Sequence, residues 1–491
     1  METHISWVLL TGEFAYKIKK PVDFGFLDFS TLALRRRFCE EEVRLNRRFA
    51  ESLYVDVVPI TMTDGAASFR GNGEAIEYAV RMRQFPSEMQ LDRLLDAGKL
   101  PTGELGAFGS TLAAVHATLP RVTAGAKFGT AAAVLAPVAE NFLQVRQSLF
   151  SSLRREQVDE LQAWSNARHA ELAPTIEQRR HDGYVRECHG DMHLSNLVRL
   201  DDGIHAFDCI EFSEALRWID VISDAAFLMM DCEVRNRSDL AYAFLDGYLE
   251  HSGDYRGVAL LGFYLVYRSM VRAKVAALQA KRADDADLLR RFHAHVDFAR
   301  ERALLRRSVF VLMCGVSGSG KSWVAERLVQ RLPGVRIRSD IERKRLANLA
   351  PQARTQSGID SGLYAADRSD ALYDHLLGCA EALAVGGERV IVDATFLSAA
   401  RRTPFIDAAV RSGIACVIVY CRATRDVLAQ RIERRNAERR DPSEATVEVL
   451  DAQLASYEAP TESEAIVVTL DTSGAVDVAA LADRIARSFK P

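Results

Sequence analysis

Residues suited to holding a phosphate occur in one uninterrupted run, Gly315-Val316-Ser317-Gly318-Ser319-Gly320-Lys321-Ser322. The run follows six apolar residues, Val309 to Cys314, and precedes a stretch of helical character from Trp323 to Leu332. A glycine-rich turn between strand and helix lets several backbone N–H groups face one anion, and the helix adds the positive end of its dipole. At this spacing Lys321 reaches the β- and γ-phosphates of a nucleoside triphosphate and Ser322 holds Mg²⁺. The alternative is a chance glycine-rich turn, which the flanking strand and helix argue against.

Further residues downstream fit phosphoryl transfer. Asp340 follows the second strand-like run, 335–338, in Arg338-Ser339-Asp340-Ile341-Glu342-Arg343-Lys344. A carboxylate there could orient or deprotonate a hydroxyl, or cap a helix, or do both. Asp393 ends Arg389-Val390-Ile391-Val392-Asp393, where a carboxylate would join the Mg²⁺ shell; a surface aspartate ending a strand is the plainer reading. Arg431, Arg434, Arg435, Arg439 and Arg440 crowd one helical stretch. They would close over a triphosphate and neutralise developing charge, or simply form a solvated face.

A second constellation lies far upstream. His189-Gly190-Asp191-Met192-His193-Leu194-Ser195-Asn196 has the order His-x-Asp-x-x-x-x-Asn of a kinase catalytic loop. Asp191 would accept the proton of an attacking hydroxyl, and Asn196 would bind metal on the phosphates. Leu197–Leu200 and Ile204–Phe207 read as a hairpin turning at Asp201-Asp202-Gly203, which returns Asp208 beside Asn196 as the principal Mg²⁺ ligand. Lys17, in Ala15-Tyr16-Lys17, sits on a strand where a lysine would pair with the phosphates. Lys19 shares its face. Glu42 is the expected ion-pair partner of Lys17, with Glu41 and Glu40 as alternatives. Trp218, Asp220 and Asp224 are expected to brace the loop, and His116 and His193 to be structural.

These residues need rigid elements beneath them. Strand-like runs at 309–314, 335–338, 389–393, 416–421 and 466–470 alternate with helical stretches, predicting an α/β domain with a parallel sheet. The first part opens with a hairpin, Ile5–Leu10 and Phe14–Lys19, followed by helical stretches, a strand at Ala75–Met82 and mostly helix to about residue 180. Residues 284–307 read as a charged amphipathic helix. The boundary is expected near Arg306, giving domains 1–305, with a short N-terminal lobe, and 306–491.

At 491 residues the chain is too long for one ordinary core. Lys and Arg number 63 against 67 Asp and Glu, a net charge of −4 that argues against a nucleic-acid groove. The eight cysteines are scattered with no CxxC pair. Together with the lack of a signal peptide or a membrane-length apolar run, they lead to the expectation of a soluble, cytoplasmic protein.

The region 309–460, through the loop, Ser339-Asp340-Ile341-Glu342-Arg343-Lys344, Val392-Asp393-Ala394-Thr395 and Arg431 with Arg435, resembles small P-loop kinases of the zeta-toxin-like, gluconate-kinase-like and polynucleotide-kinase-like group. Residues 1–300 resemble the aminoglycoside phosphotransferase family, a branch of the protein-kinase-like fold that also shows His-Gly-Asp. This chain has Asp208-Cys209-Ile210 where that fold usually has Asp-Phe-Gly, and sixteen residues precede Lys17. The resemblance implies an α+β kinase-like domain followed by an α/β P-loop domain. It also implies ATP and Mg²⁺ as cofactors, and sugars, amino sugars or aminocyclitols as acceptors. Two rival readings are a first half that only binds nucleotide or substrate, and a second half that acts as a polynucleotide or toxin-like kinase.

Overall fold

The computed structural model describes residues 2–25, 27–63, 65–148, 150, 152–280, 285–304, 308–350, 353, 366–438, 443 and 445–488. They form two compact units. The first comprises Met1–Asn236 and Phe263–Ala303, the second Arg237–Gly262 and Leu304–Pro491. Arg306, where the boundary is expected from sequence, falls outside the described residues. The segment Arg237–Gly262 belongs with the second unit, an assignment that a single cut in the chain does not give.

In the first unit a five-stranded antiparallel sheet runs in the order Ser6–Leu10, Phe14–Lys19, Ala75–Arg83, Tyr54–Thr63, Ala66–Phe69. Helix Leu32–Ala50 packs on it, its start capped by the Thr31 side chain. The buried face of this helix includes Arg35, Cys39, Glu42, Val43, Asn46, Phe49 and Ala50, a spacing that a 3.6-residue period places on one side. Cys39, Val43 and Ala50 join Leu53, Tyr54, Val80, Met82 and Val198 in one core cluster. Val198 belongs to the hairpin Leu197–Leu200 and Gly203–Ala206, so the sheet core also anchors the strands between Asn196 and Asp208.

Strand Tyr54–Thr63 and its short partner Ala66–Phe69 stand where the sequence suggests helix. Pro59 sits inside the strand opposite Tyr78, and the pairing shifts register on either side of it, at Tyr54/Asp56 and Ile60/Thr61. Proline and broken alternation hide such a strand from pattern reading. The rest of the unit is largely helical, including Thr102–Thr118, Ala131–Gln147, Arg155–His181, Val221–Val234, Leu261–Gln279 and Ala286–Leu304.

The second unit holds five parallel strands in the order Val335–Arg338, Arg389–Asp393, Val309–Cys314, Ala415–Arg422, Ile466–Asp471. Every residue of the central strand Val309–Cys314 is buried, as expected for a strand covered on both faces. Helix Ser238–Ser252 joins this unit because strand Val335–Arg338 carries cations into the interior. Arg336, 7% exposed, bonds Asp246 at 2.8 Å and Glu250 at 3.2 Å, and Arg338 reaches Glu250 at 3.1 Å. Tyr242 donates to Glu388 at 2.5 Å, and Tyr255 to Glu342 at 3.3 Å. Among the described residues no helix is long and apolar enough to cross a membrane.

Removing one partner of a buried ion pair leaves a charge stranded. Asp246→Ala is therefore expected to destabilise the second unit by about 2 kcal/mol, read by chemical denaturation; Asp246→Leu with Arg336→Met should recover most of the loss. A titratable contact gives a second test. His375 Nε2 lies 3.6 Å from Cys379 Sγ and 2.9 Å from Glu342 Oε2, and these partners raise its pKa from 6.5 to about 9. A raised histidine pKa contributes stability that is complete below pH 6.5 and lost as pH climbs through about 9. Thermal melting between pH 6 and 9.5 should show that decline in wild type and a flatter profile in His375→Ala.

Candidate active sites

Alternation along strand Phe14–Lys19 sends Lys17 and Lys19 to one face, toward helix Leu32–Ala50. Glu42 receives both. Lys17 Nζ is 2.8 Å from Glu42 Oε1, and Lys19 Nζ is 2.6 Å from Glu42 Oε2. Glu41 instead bonds Arg44 and Arg217 at 2.6 and 3.0 Å, and Glu40 bonds Arg36 in the open. Lys17 also bonds Asp208 Oδ1 at 2.5 Å, while Lys19 bonds Glu211. Burial alone would discharge this group. The carboxylates around Lys17 outweigh it and hold the ammonium well above its ordinary range, and the two lysines bring Glu42 down to about 2 against the same burial.

Asp208 adopts a left-handed backbone, φ 65°, which short polar side chains tolerate. Its N–H donates to the Tyr54 hydroxyl at 3.0 Å, the next N–H, of Cys209, donates to Asn46 Oδ1 at 2.9 Å, and Phe207 N donates to Asn196 O at 3.0 Å. Asn196 Nδ2 in turn donates to Asp191 O at 3.0 Å and to Asp191 Oδ2 at 3.1 Å. His193 Nε2 lies 3.3 Å from the same Asp191 oxygen, with Arg272 3.4 Å from that ring nitrogen. Although burial opposes ionisation of Asp191, His193 and Arg272 hold its carboxyl well below the usual range. His193 thus faces the Asp191 carboxylate.

The loop rests on Asp224, whose two oxygens accept from His189 N at 3.0 Å and Gly190 N at 2.8 Å. Arg268 donates to Gly190 O at 3.0 Å. Gly190 has φ 86°, and a Cβ there would stand 2.8 Å from Leu216 O, so glycine is required. Asp220 pairs with Arg179 at 2.7 Å and caps helix Val221–Val234. His116, Cys188 and Asp224 cluster within 4.8 Å. Asp224 is already committed to two backbone donors and His116, and burial pushes the Cys188 thiol well above its usual range, which suits a brace better than a metal ligand.

In the second unit, Gly315 to Ser322 wrap from the end of strand Val309–Cys314 into helix Lys321–Arg331. Gly315, at φ 138°, lies so close to strand Ala415–Arg422 that a Cβ would sit 2.3 Å from Cys421 O. The buried Lys321 ammonium donates to Val316 O at 2.9 Å and lies 3.4 Å from Ser319 Oγ. Burial lowers its pKa, against the pull of Asp393. A cleft of about 1060 Å³ opens here, lined by Ser317, Gly318, Gly320, Lys321, Ser322, Asp340, Asp393, Arg431 and Arg435 among others. Val316, Ser319 and Gly315 lie behind its wall.

Asp393 is 4% exposed, and its Oδ2 is buried without a hydrogen-bond partner. An orphaned carboxylate oxygen in the cleft that Ser322 also lines is the kind of hard donor that Mg²⁺ takes. Asp340 stands in the first turn of helix Ser339–Leu346, whose cap position is Arg338, so Asp340 does not serve as the N-cap. Arg431 donates to Thr472 O at 2.5 Å and reaches Gly318 O at 3.4 Å; Arg435 reaches Ala445 O at 3.3 Å. Arg434 is exposed beside Glu438, and Arg439 and Arg440 lie outside the described residues.

Sequence reasoning misses several supports. Lys19 and Glu211 lock Glu42 and the Asp208 loop together. Thr472 Oγ1 donates to Ser319 O at 2.9 Å, and Gln453 Oε1 accepts from Ser317 N at 2.8 Å. A lysine two residues from Lys17 on an alternating strand is a readable signal; a lone threonine and glutamine more than a hundred residues from the loop are not.

Two family models match the chain. A model of the "Phosphotransferase enzyme family" matches residues 33–261, and an "AAA domain" model matches residues 310–460. Among solved structures, a choline kinase from Cryptosporidium parvum Iowa II is similar, with 11% identity, a TM-score of 0.39, and coverage of 61% of this chain and 88% of its own. A gluconokinase from Sinorhizobium meliloti 1021 shows 21% identity and a TM-score of 0.26, covering 38% of this chain and 99% of its own. "Uncharacterized protein Rv2004c" of Mycobacterium tuberculosis (strain ATCC 25618 / H37Rv) is 30% identical over 460 residues, 93% of this chain and 90% of its own length. "Uncharacterized protein Mb2027c" of Mycobacterium bovis matches to the same extent. The chain therefore belongs to the family of these mycobacterial proteins, and it is a kinase that joins a phosphotransferase-family domain to a P-loop domain.

Proposed function

We propose that both halves transfer the γ-phosphoryl group of Mg-ATP to hydroxyls of small molecules, each half with its own acceptor. The observation that carries this reading is the meeting of Lys17, Glu42 and Asp208 in a half whose Asn196 also bonds Asp191. A domain that only bound a ligand would have no need for a phosphate cation, a catalytic-loop carboxylate and two hard oxygen donors together.

In the first half Lys17 binds phosphate oxygens, and Asn196 with Asp208 would hold Mg²⁺. The metal supplies charge neutralisation on the phosphates. Asp191 accepts a hydrogen bond from the acceptor hydroxyl and aims it. Because its pKa is depressed it is a weak base, which suits a loose transition state in which the proton moves late. Sugars, amino sugars and aminocyclitols are the acceptors that the resemblance favours. In the second half the loop amides from Gly315 to Ser322 cradle the phosphates, Lys321 exchanges the Val316 carbonyl for a phosphate oxygen, and Ser322 with Asp393 would hold Mg²⁺. Asp340 takes the acceptor proton, while Arg431 and Arg435 offset charge on the transferring group.

The test is ATP-dependent phosphorylation of a panel of hydroxylated metabolites, read by mass spectrometry, with wild type, Asp191→Ala and Lys321→Ala. Each substitution should lower one set of products by about 100-fold or more and spare the other. If Lys321→Ala abolishes all turnover and Asp191→Ala changes none, the first half is a binding or regulatory domain and the reading fails.

A further inference from the structure

We infer that Gln453 is a further catalytic residue of the P-loop half, its side-chain amide donating to the γ-phosphoryl group that this half transfers. This rests on the reading of that half as a kinase. Gln453 lies on helix Val447–Ser456 and, with Ser317, lines the phosphate cleft. Its Oε1 accepts from the loop amide Ser317 N at 2.8 Å. Because that partner is a backbone N–H, the atom facing it has to be the oxygen, which settles the orientation of the glutamine amide. No other bond ties the Gln453 side chain among the described residues, so Nε2 keeps both of its N–H groups unspent beside the cleft. The oxygen and nitrogen of one amide stand about 2.2 Å apart. Nε2 is therefore only one amide further from the loop than Oε1.

Packing fixes that placement. Leu450, one helical turn before Gln453, is buried with Leu428, Ile432 and the loop residue Val316 in one cluster. Helix Arg425–Glu438, which brings Arg431 and Arg435 to the cleft, therefore packs on the same loop residue as the helix of Gln453. Arg425 and Asp451 join the two helices again at 2.8 Å in the open, and Thr446 caps the start of the second. The Ser317 N–H, spent on Gln453, is not offered to a phosphate; the glutamine passes a donor outward in its place. A glycine-rich loop cradles the phosphates with its own amides, and a donor one amide further out meets the terminal one. Bonded through its carbonyl to Ser317, the amide is polarised and its N–H groups are stronger donors. In the transfer, the acceptor oxygen bonds the γ-phosphorus as the β–γ bridging oxygen leaves with its electron pair on ADP. The hydroxyl proton passes to Asp340, and Gln453 holds an equatorial oxygen of the moving group. ADP has no such oxygen, so the contact belongs to ATP alone.

The experiment is calorimetry of the full-length protein with Mg²⁺ and either ADP or the β,γ-imido analogue of ATP; the site read is the one that Lys321→Ala loses. Gln453→Met keeps the length and helix propensity of the side chain but has no N–H. It should weaken the ATP analogue at that site by about tenfold or more and leave ADP within about threefold. Gln453→Glu keeps an oxygen for Ser317 N and loses the donors, and should weaken the analogue at least as much. Equal weakening of ADP and analogue in Gln453→Met, the result of a mere tie between helix and loop, overturns the inference. Unchanged analogue binding in Gln453→Met overturns it too, even where Gln453→Glu loses the analogue, since repulsion by the added carboxylate accounts for that loss. Gln453→Ala, read in the same way, replaces Gln453→Met if the latter no longer melts cooperatively. If Lys321→Ala loses no site, the kinase reading of this half fails and the inference falls with it. If the site is lost there and the Gln453 variants still bind the analogue as wild type does, the inference alone fails.

Discussion

One buried carboxylate, Glu42, lies between two lysine ammonium groups, and the arrangement of the first unit's candidate site depends on keeping it there. A fully buried glutamate is costly unless it is paired, and here both of its oxygens are taken. Satisfying Glu42 fixes helix Leu32–Ala50 against strand Phe14–Lys19. The second bonds of the lysines, to Asp208 and Glu211, extend the constraint to the segment that would carry the metal. Tyr54 and Asn46 then hold the backbone of that segment from the sheet side and the helix side. Such a chain of ion pairs adds little net stability compared with apolar packing, but it leaves few alternative arrangements. Residues far apart in sequence are thereby brought to one place.

The second unit meets the same demand, many charges in a small space, by other means. Its phosphate site is built mainly from backbone, so the sharp turn at Gly315 and the orphaned oxygen of Asp393 matter more than side-chain pairing. Where it does bury cations, it recruits the segment Arg237–Gly262 to supply carboxylates for Arg336 and Arg338. The P-loop unit is therefore assembled from two stretches of chain, and its stability depends on residues that precede its own first strand.

Much of the arrangement can be read from the sequence, for physical reasons that differ by element. The parallel sheet is legible because doubly covered strands such as Val309–Cys314 and Arg389–Asp393 are apolar runs bounded by breakers. Motif spacing marks Asp191, Asn196, Asp208 and the phosphate loop, since each needs short-range geometry that few sequences supply by chance. Strand Tyr54–Thr63 is hidden by Pro59 and its register shifts. The choice among Glu40, Glu41 and Glu42 is a question of helix face: only Glu42 shares the stripe of Cys39, Val43 and Asn46. The roles of Thr472, Gln453 and helix Ser238–Ser252 arise from contacts between distant parts of the chain, for which a single sequence carries no local signal.

If both halves are kinases as proposed, one chain carries two nucleotide sites. Titration of full-length protein with a non-hydrolysable ATP analogue and Mg²⁺, followed by native mass spectrometry, counts them directly. Two nucleotides per chain, falling to one when Lys17→Ala is introduced, is the predicted result. A single nucleotide in wild type that Lys17→Ala leaves in place would contradict it.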